Sequence, residues 1–410
     1  MATIVLNWEL GADLGHINRF LTIALRLRER GHRPVMLLRD ITRAESILGE
    51  HRLEFLQAPV WLTPVQGLPP DINFTETLYR FGYLYPDGLL SMAKAWRAAW
   101  ALLQPQLMIF DHAPSAMLAA RGLGIPRMVI GNSFSVPPLL RPLPRFRWWA
   151  NSLGDQPRLA ETEARATQNS NTVLVRLDAP PITQMSDLYQ AEATYICGRP
   201  ALDVYGVRSH GEYIGPINNV TSGADPVWPL GDTPMVFAYL KSHYKHFEAL
   251  LNAIISTKAR YLIFAPGIPE ALVRRYRKAH VAFSSAPLRM QDVAKQCSAI
   301  ICHAGGMTDI ALESGKPVLL LPTQMEQTMT SHRVETLGAG LFLPMEGNPG
   351  TFPKLIKRLL EDGELRTRAA AYAAGISCTD QSKTVDWLVD ACEGLLTASP
   401  VIRRGVRDFV

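Results

Sequence analysis

The sequence predicts an α/β fold made of two similar domains with parallel sheets. The chain has 410 residues, more than one ordinary core holds, and two domains of about 200 residues each fit the usual size. Short apolar runs alternate with helix-like runs in both halves, which is typical of parallel strands joined by crossover helices. Gly, Pro, Asn and Ser become frequent between Ile214 and Pro234, as in an interdomain linker. We therefore expect a first domain at 1–214, a linker at 215–234, a second domain at 235–382, and a helix and tail at 383–410 that pack back toward the first domain.

The first domain begins with a strand, a turn and a helix. Residues 3–6 form a short apolar run, and residues 11–16 are a glycine-punctuated turn that ends at His16. Apolar residues then recur at helical spacing over 17–27, and another apolar run covers 35–38. This order predicts two neighbouring parallel strands with a helix between them.

A later unit repeats the same order. An apolar run at 107–110 ends at Asp111 and precedes a helix-like run at 116–120 and a strand at 128–130. Asp111 and His16 therefore both follow strand ends in one domain, where ligand sites of parallel sheets lie.

The second domain shows the same alternation without a detectable sequence repeat. The pattern predicts strands at 236–240, 261–264, 299–301 and 317–321, and a helix at 247–255.

A glycine turn at 302–308 has the features of an anion site. It joins a strand to a helix start, where Gly305 and Gly306 let the backbone approach a phosphate and free N–H groups point at it. His303 and Thr308 are expected to add side-chain donors. The competing interpretation is a tight turn that binds no ligand.

Polar residues beyond other strands extend this site. Ser242 follows the strand at 236–240 and is expected to donate to the same phosphates, unless it caps a helix. Glu326 and Gln327 follow the strand at 317–321 and suit sugar hydroxyls. A phosphate site beside a polyol site indicates a sugar nucleotide.

Composition narrows the class of protein. Hydrophobic residues make up 47% and charged residues 19%, as in a soluble globular protein. The net charge of +5 is too weak and too spread for a nucleic-acid partner. The five scattered cysteines argue against a disulfide framework and a structural zinc site. We expect a cytoplasmic protein, with peripheral membrane contact left open.

Several motifs, taken in order, resemble glycosyltransferases of the GT-B fold, and most closely the macrolide and UDP-glucuronosyl type. The resemblance covers nearly the whole chain. It rests on Gly15-His16, Asp111, Gly215-Pro216, Tyr239-Leu240-Lys241-Ser242, His303-x-Gly305-x-x-Thr308 and Glu326-Gln327.

The resemblance implies two Rossmann-like domains whose parallel sheets face a central cleft. It places the acceptor on the first domain and a UDP- or dTDP-sugar mainly on the second. It also implies that His16 is the general base and that Asp111 orients its imidazole, a role that this pair of residue types can fill on chemical grounds. Helix capping is the alternative role for both residues.

The remaining assignments are less specific. Leu288 is expected near the nucleobase, and Phe81, Phe134 and Trp148 near the acceptor. Residues 137–149 hold four prolines and an Arg/Trp-rich end, and form either a wall of the acceptor pocket or a membrane contact. The spacing from His303 to Gly315 is one residue shorter than in comparable relatives, which leaves the ribose contact open.

Together with the resemblance, these residues lead us to expect an inverting transferase that moves a sugar from a UDP- or dTDP-sugar to a small, largely apolar acceptor. We expect no metal, because the sequence has no D-x-D motif, and no cofactor beyond the co-substrate. The alternatives are a membrane-associated transferase that uses a lipid acceptor and a non-catalytic accessory protein. The sugar, the nucleotide, the acceptor, the linkage and the oligomeric state stay open.

Overall fold

The computed structural model describes residues 1–11, 15–150, 154–218, 223–376 and 381–398. The chain divides into two compact units. The first holds Met1–Pro200, Tyr205–Ile217 and the C-terminal helix, and the second holds Ala201–Val204 and the described part of Asn218–Cys378. Among the described residues, no helix is both long enough and apolar enough to cross a membrane.

The first unit contains a sheet of seven parallel strands with helices between them. Its elements are β1 (Thr3–Trp8), α1 (Gly15–Glu29), β2 (Arg33–Leu38), α2 (Ala44–Leu48), β3 (Glu54–Gln57), α3 (Phe74–Leu78), α4 (Pro86–Leu103), β4 (Leu107–Asp111), α5 (Pro114–Ala120), β5 (Arg127–Gly131), α6 (Asp155–Arg176), β6 (Ala193–Ile196) and β7 (Glu212–Tyr213). Tyr79–Tyr83 forms a π-helical turn, and Gly49–His51, Met185–Tyr189 and Pro200–Leu202 are short 3-10 turns.

The strand order of this sheet is β3-β2-β1-β4-β5-β6-β7. From β1 the chain adds strands β2 and β3 on one side, and from β4 it adds strands β5 to β7 on the other side, so the strand order reverses between β1 and β4. Ligands of such sheets bind where the order reverses, beyond the carboxyl ends of the strands. Trp8 and Asp111, the last residues of β1 and β4, lie directly opposite each other at this point.

The second unit contains six parallel strands. Its elements are β8 (Met235–Tyr239), α7 (Phe247–Ile255), β9 (Arg260–Phe264), α8 (Glu270–Tyr276), β10 (Val281–Ser284), α9 (Met290–Gln296), β11 (Ala299–Cys302), α10 (Gly306–Glu313), β12 (Val318–Leu320), α11 (Met325–Thr336), β13 (Gly340–Phe342), the 3-10 turn Pro349–Thr351, α12 (Phe352–Glu361) and α13 (Gly363–Ala374). The strand order is β10-β9-β8-β11-β12-β13, so the order reverses between β8 and β11.

Both sheets are parallel and carry helices, which confirms the predicted fold class for each unit. The strands that the sequence predicts could be recognised because most of their residues are apolar, as expected for parallel strands buried on both faces. In β4, all five residues are buried. The four cysteines among the described residues are free and buried.

The C-terminal helix α14 (Gln381–Ala398) belongs to the first unit. Its residues Val385, Leu388 and Val389 are buried in the core that also contains α1 and β4. Arg30, directly after α1, adds an ion pair of 2.8 Å to Asp390. The helix therefore packs on the unit that begins the chain.

Candidate active site

In the first unit, His16 and Asp111 form a hydrogen-bonded pair. His16 lies in the first turn of α1, and Asp111 is the last residue of β4. His16 Nδ1 lies 2.9 Å from Asp111 Oδ2. Because a carboxylate only accepts, Nδ1 carries the proton and the lone pair of the neutral ring is on Nε2. The sequence therefore correctly indicated that these two residues meet, while their role stays a proposal.

Arg19 is the third member of this arrangement. It lies three residues after His16 on the same face of α1, and its guanidinium also donates to Asp111 Oδ2. Burial alone would raise the pKa of Asp111, but Arg19 and His16 outweigh it and hold the pKa of this carboxyl well below its usual range. Asp111 is therefore a carboxylate at any pH near neutrality. The sequence analysis missed Arg19, although its spacing from His16 is a usable signal.

Two neighbours fix the position of the His16 ring. The Trp8 ring stacks on it at a centroid distance of 5.1 Å. Gly11 has a φ of +90°, and a Cβ atom there would lie 2.6 Å from His16 Nε2. Glycine is therefore required at position 11 both for the backbone conformation and for the space that Nε2 occupies.

A second histidine lies beside this pair. The His112 ring lies 5.9 Å from the His16 ring, and the backbone of His112 has the left-handed φ of +51°. Burial lowers the pKa of His112 to about 3, and a proton taken up by the neighbouring His16 ring would add to this effect. His112 is therefore neutral at physiological pH. The sequence analysis did not single it out.

Glu9 is a buried carboxyl group directly after β1. Its Oε2 accepts a hydrogen bond of 2.8 Å from the N–H of Ser115, at the start of α5. Burial raises the pKa of Glu9 to about 7, against the smaller lowering effect of its hydrogen bonds. Glu9 could have been identified from the sequence, because it is a charged residue directly after an apolar strand.

In the second unit, the glycine turn follows β11 and leads into α10. Ala304 has the left-handed φ of +53°, and Gly305 is the N-cap of α10. A Cβ atom at Gly305 would have nothing within 4 Å, so this side of the turn is open. At Gly306 a Cβ atom would lie 3.0 Å from Asn218 Oδ1. The turn thus presents the N–H groups of a helix start to open space, with the Asn218 amide beside them.

The side chain of His303 is held inside the second unit. Its Nδ1 lies 2.7 Å from the carbonyl oxygen of Leu321, and its Nε2 accepts a hydrogen bond of 2.9 Å from the N–H of Lys241. The ring therefore joins the ends of β8, β11 and β12. Both ring nitrogens therefore have partners within the unit, which gives His303 a part in positioning the surrounding backbone. Its predicted role at the diphosphate stays a prediction.

Thr308 also has contacts inside the turn, and its predicted role at the diphosphate stays a prediction. Its side chain is buried, and its Oγ1 lies 3.9 Å from Cys302 Sγ. Its N–H donates to the carbonyl oxygen of Gly305 at 2.8 Å. The Thr308 hydroxyl therefore packs under the turn and supports its shape.

Ser242 lies beyond β8, as predicted. Its hydroxyl donates to the carbonyl oxygen of Pro266 at 2.9 Å. The helix-capping alternative is wrong, because α7 begins only at Phe247 and has His246 at its N-cap.

The sugar-site and base-site candidates lie on α11 and before α9. Glu326 is half-buried in the first turn of α11. Gln327 is buried, and its Oε1 accepts a hydrogen bond of 2.8 Å from the N–H of Thr323. The Leu288 side chain is buried, and Ala224 pairs with the backbone on both sides of it. Gln327 and Leu288 therefore have structural contacts as well as their predicted roles.

Comparisons with known proteins agree on one class of enzyme. A model of the "Erythromycin biosynthesis protein CIII-like, C-terminal domain" matches residues 282–396. A "PGL/p-HBAD biosynthesis glycosyltransferase" of Mycobacterium tuberculosis is 24% identical over 306 residues, which are 66% of this chain and 67% of that protein. A "PGL/p-HBAD biosynthesis rhamnosyltransferase" of Mycobacterium bovis is 24% identical over 268 residues, which are 60% of this chain and 57% of that protein.

Solved structures give the same fold. The calicheamicin glycosyltransferase CalG4 is similar with a TM-score of 0.70 at 18% identity, over 97% of this chain and 99% of that one. The spinosyn rhamnosyltransferase SpnG complexed with thymidine diphosphate has a TM-score of 0.65 at 15% identity, over 96% of this chain and 100% of that one. The chain is a glycosyltransferase with the GT-B fold.

The aromatic residues expected at the acceptor of this glycosyltransferase lie in three places. Phe134 is buried beside His112, with ring centroids 6.2 Å apart. Phe81 is half-buried in the turn between α3 and α4. Trp148 packs edge-to-face on Trp149 at 5.4 Å. The structure thus brings Phe134 next to the residues around His16, while acceptor roles for Phe81 and Trp148 stay predictions.

Residues 137–149 of the glycosyltransferase form an irregular segment. Arg145 makes an isolated antiparallel bridge with Asn73, and the N–H of Phe146 donates to the carbonyl oxygen of Ile72 at 2.7 Å. Arg147 is exposed. Within the described ranges, no cluster of three or more His, Cys, Asp or Glu side chains is placed to hold a metal ion.

Proposed function

We propose that this glycosyltransferase transfers a sugar from a UDP- or dTDP-sugar to a hydroxyl group of a small acceptor, with inversion and without a metal. One observation carries the proposal. The His16–Asp111 pair, with 2.9 Å between Nδ1 and Oδ2, lies at the point where the strand order of the first sheet reverses.

The first unit provides the proton acceptor. His16 Nε2 takes the proton of the acceptor hydroxyl as its oxygen bonds to the anomeric carbon. The bond from that carbon to the diphosphate breaks at the same time, and the electron pair leaves with the diphosphate. Asp111 holds the tautomer and stabilises the imidazolium that forms. Because the acceptor oxygen attacks the sugar directly and no covalent sugar–enzyme intermediate forms, the anomeric carbon undergoes a single displacement. A single displacement inverts the anomeric configuration.

The second unit provides the binding site for the donor. The N–H groups at the start of α10 and the partial positive charge of the helix stabilise the departing diphosphate. Gly305 keeps this approach open, and Ser242 and Asn218 add polar groups. Glu326 and Gln327 are assigned to the sugar hydroxyls and Leu288 to the nucleobase region. SpnG was solved with thymidine diphosphate, which supports a dTDP-sugar as the first donor to test.

Nucleotide binding and product stereochemistry test this proposal. We expect UDP or dTDP to raise the melting temperature equally in the presence and absence of EDTA. We also expect NMR of the product to show the anomeric configuration opposite to that of the donor. If neither nucleotide raises the melting temperature, the donor assignment is wrong, and a retained configuration contradicts the single displacement.

A lipid acceptor is the second candidate function. Its support is the exposed Arg147 followed by the half-buried Trp148 and Trp149, residue types that favour a membrane interface. Co-sedimentation with anionic vesicles separates the candidates, because a soluble acceptor requires no membrane binding. A non-catalytic accessory role ranks below both, since this chain keeps the histidine–aspartate pair and the glycine turn.

We place the enzyme in the cytoplasm.

A further inference from the structure

Among the buried polar atoms of the first unit that have no hydrogen-bond partner among the described residues, four belong to side chains that lie near one another. These atoms are Glu9 Oε1, Tyr83 Oη, His112 Nε2 and Tyr189 Oη. Glu9 and Tyr83 are 0% exposed, Tyr189 is 2% exposed and His112 is 9% exposed. We call these four residues the polar cluster.

The members of the polar cluster lie close to one another. Burial raises the pKa values of Tyr83 and Tyr189 well above the usual range, and the carboxylate of Glu9 adds to the effect on both. Phe74 lies between His112 and Tyr189, since its ring is 5.6 Å from that of His112 and 6.0 Å from that of Tyr189. The unpaired atoms therefore belong to one region of the unit.

Such a group of atoms needs an explanation. Most buried polar atoms in native proteins have a partner, because water is lost on burial and must be replaced. Phenylalanine would fill the same volumes as Tyr83 and Tyr189 without this cost. The hydroxyl groups at these positions therefore indicate a partner that is not part of the described chain.

The polar cluster begins directly beside His16. The His112 ring lies 5.9 Å from the His16 ring. A Cβ atom at Gly11 would touch both His16 Nε2, at 2.6 Å, and His112 Nδ1, at 3.2 Å. Phe134 packs on His112 at 6.2 Å and on Phe74 at 5.5 Å. The aromatic rings of Phe74 and Phe134 and the polar cluster therefore lie on the side of His16 that faces His112.

We infer that the acceptor is an aromatic molecule with a second hydroxyl group, and that the polar cluster binds this group while His16 receives the proton of the reacting hydroxyl. The inference rests on the proposed function and makes it more specific. Phe74 and Phe134 supply stacking or edge contacts to the ring system. The second hydroxyl both donates and accepts, so it can pair with a tyrosine hydroxyl or with His112 or Glu9.

Equilibrium binding of two matched probes tests the inference. The probes are 2-naphthol and 2,6-dihydroxynaphthalene, which differ by one hydroxyl group. We expect the wild-type protein, saturated with dTDP or UDP, to bind the diol about tenfold more tightly. In the double variant Tyr83→Phe/Tyr189→Phe this preference should disappear, while the melting temperature stays equal or rises because unpaired hydroxyl groups are removed.

Tyr79→Phe is the matched control. Tyr79 is also buried, but its hydroxyl donates to the carbonyl oxygen of Thr162 at 3.0 Å. This variant should melt at a lower temperature and keep the preference for the diol. Equal wild-type affinity for the two probes, a preference that survives the double variant, or no binding of either probe overturns the inference. Nucleotide binding is measured in the same samples, so its failure counts separately against the proposed function.

Discussion

Replacing Asp111 by asparagine removes the negative charge of this side chain but keeps nearly the same side-chain shape. The amide oxygen can still accept from His16 Nδ1, so the ring keeps a partner. What is lost is the attraction between the carboxylate and the imidazolium that forms during transfer. Asp111 is fully buried, and only 12% of the His16 side chain is exposed, so water screens this attraction weakly.

The expected loss in rate follows from the distance between the two groups. Opposite unit charges 2.9 Å apart attract by about 6 kcal/mol at an effective dielectric constant of about 20. That energy corresponds to a decrease in kcat of about 10⁴-fold. The estimate is an upper limit, since the asparagine dipole keeps part of the interaction, and we expect a decrease of about 10³–10⁴-fold.

Steady-state transfer at saturating donor, followed by nucleotide release, measures this loss. Asp87→Asn is the control, because Asp87 makes an exposed ion pair with Arg176 and is 92% exposed, so its charge should not affect kcat. Nucleotide-dependent stabilisation shows that the variant is folded. A decrease of less than about tenfold in a folded Asp111→Asn protein would refute the charge argument.

Three further variants test the parts of the site separately. Gly11→Ala should lower kcat/KM by about 10–100-fold because the new Cβ displaces His16 Nε2, whereas Gly31→Ala, at a φ of +83° with nothing within 4 Å, should lose only stability. Glu9→Gln should become more stable relative to wild type as the pH rises from 4.5 to about 7, by up to about 3 kcal/mol in the free energy of unfolding measured with urea. The reason is that Glu9 ionises over this range in the unfolded wild-type chain but not in the folded one. A constant difference across this range would contradict the raised pKa. His303→Phe should cost about 2 kcal/mol of stability through two lost buried hydrogen bonds and should weaken nucleotide binding, and unchanged stability would argue against its positioning role.

The elements that could be predicted are those whose local pattern matches their burial. The runs at 107–110 and 299–301 are apolar because β4 and β11 are covered on both faces. His16 and Asp111 could be paired for a related reason, since the carboxyl ends of parallel strands meet at one edge of a sheet. In these cases a short stretch of sequence is enough to predict the position of the strand or of the site residue.

The details that could not be predicted depend on contacts between distant residues. His303 has the residue type of a phosphate donor, but three strand ends converge on it and use both nitrogens. The polar cluster brings residues 9, 83, 112 and 189 together, and no local pattern relates these positions. Arg19 is the exception, because its three-residue spacing from His16 on one helix was visible.

The most direct test of the central claim is the rate of sugar transfer by His16→Ala to two phenols of similar size. One phenol is un-ionised at the assay pH, and the other is a nitrophenol that is largely ionised. If His16 removes the proton, the variant should lose about 10²–10⁴-fold with the un-ionised phenol and little with the nitrophenol, which needs no base. An equal loss with both phenols, or no loss with either, would contradict the account.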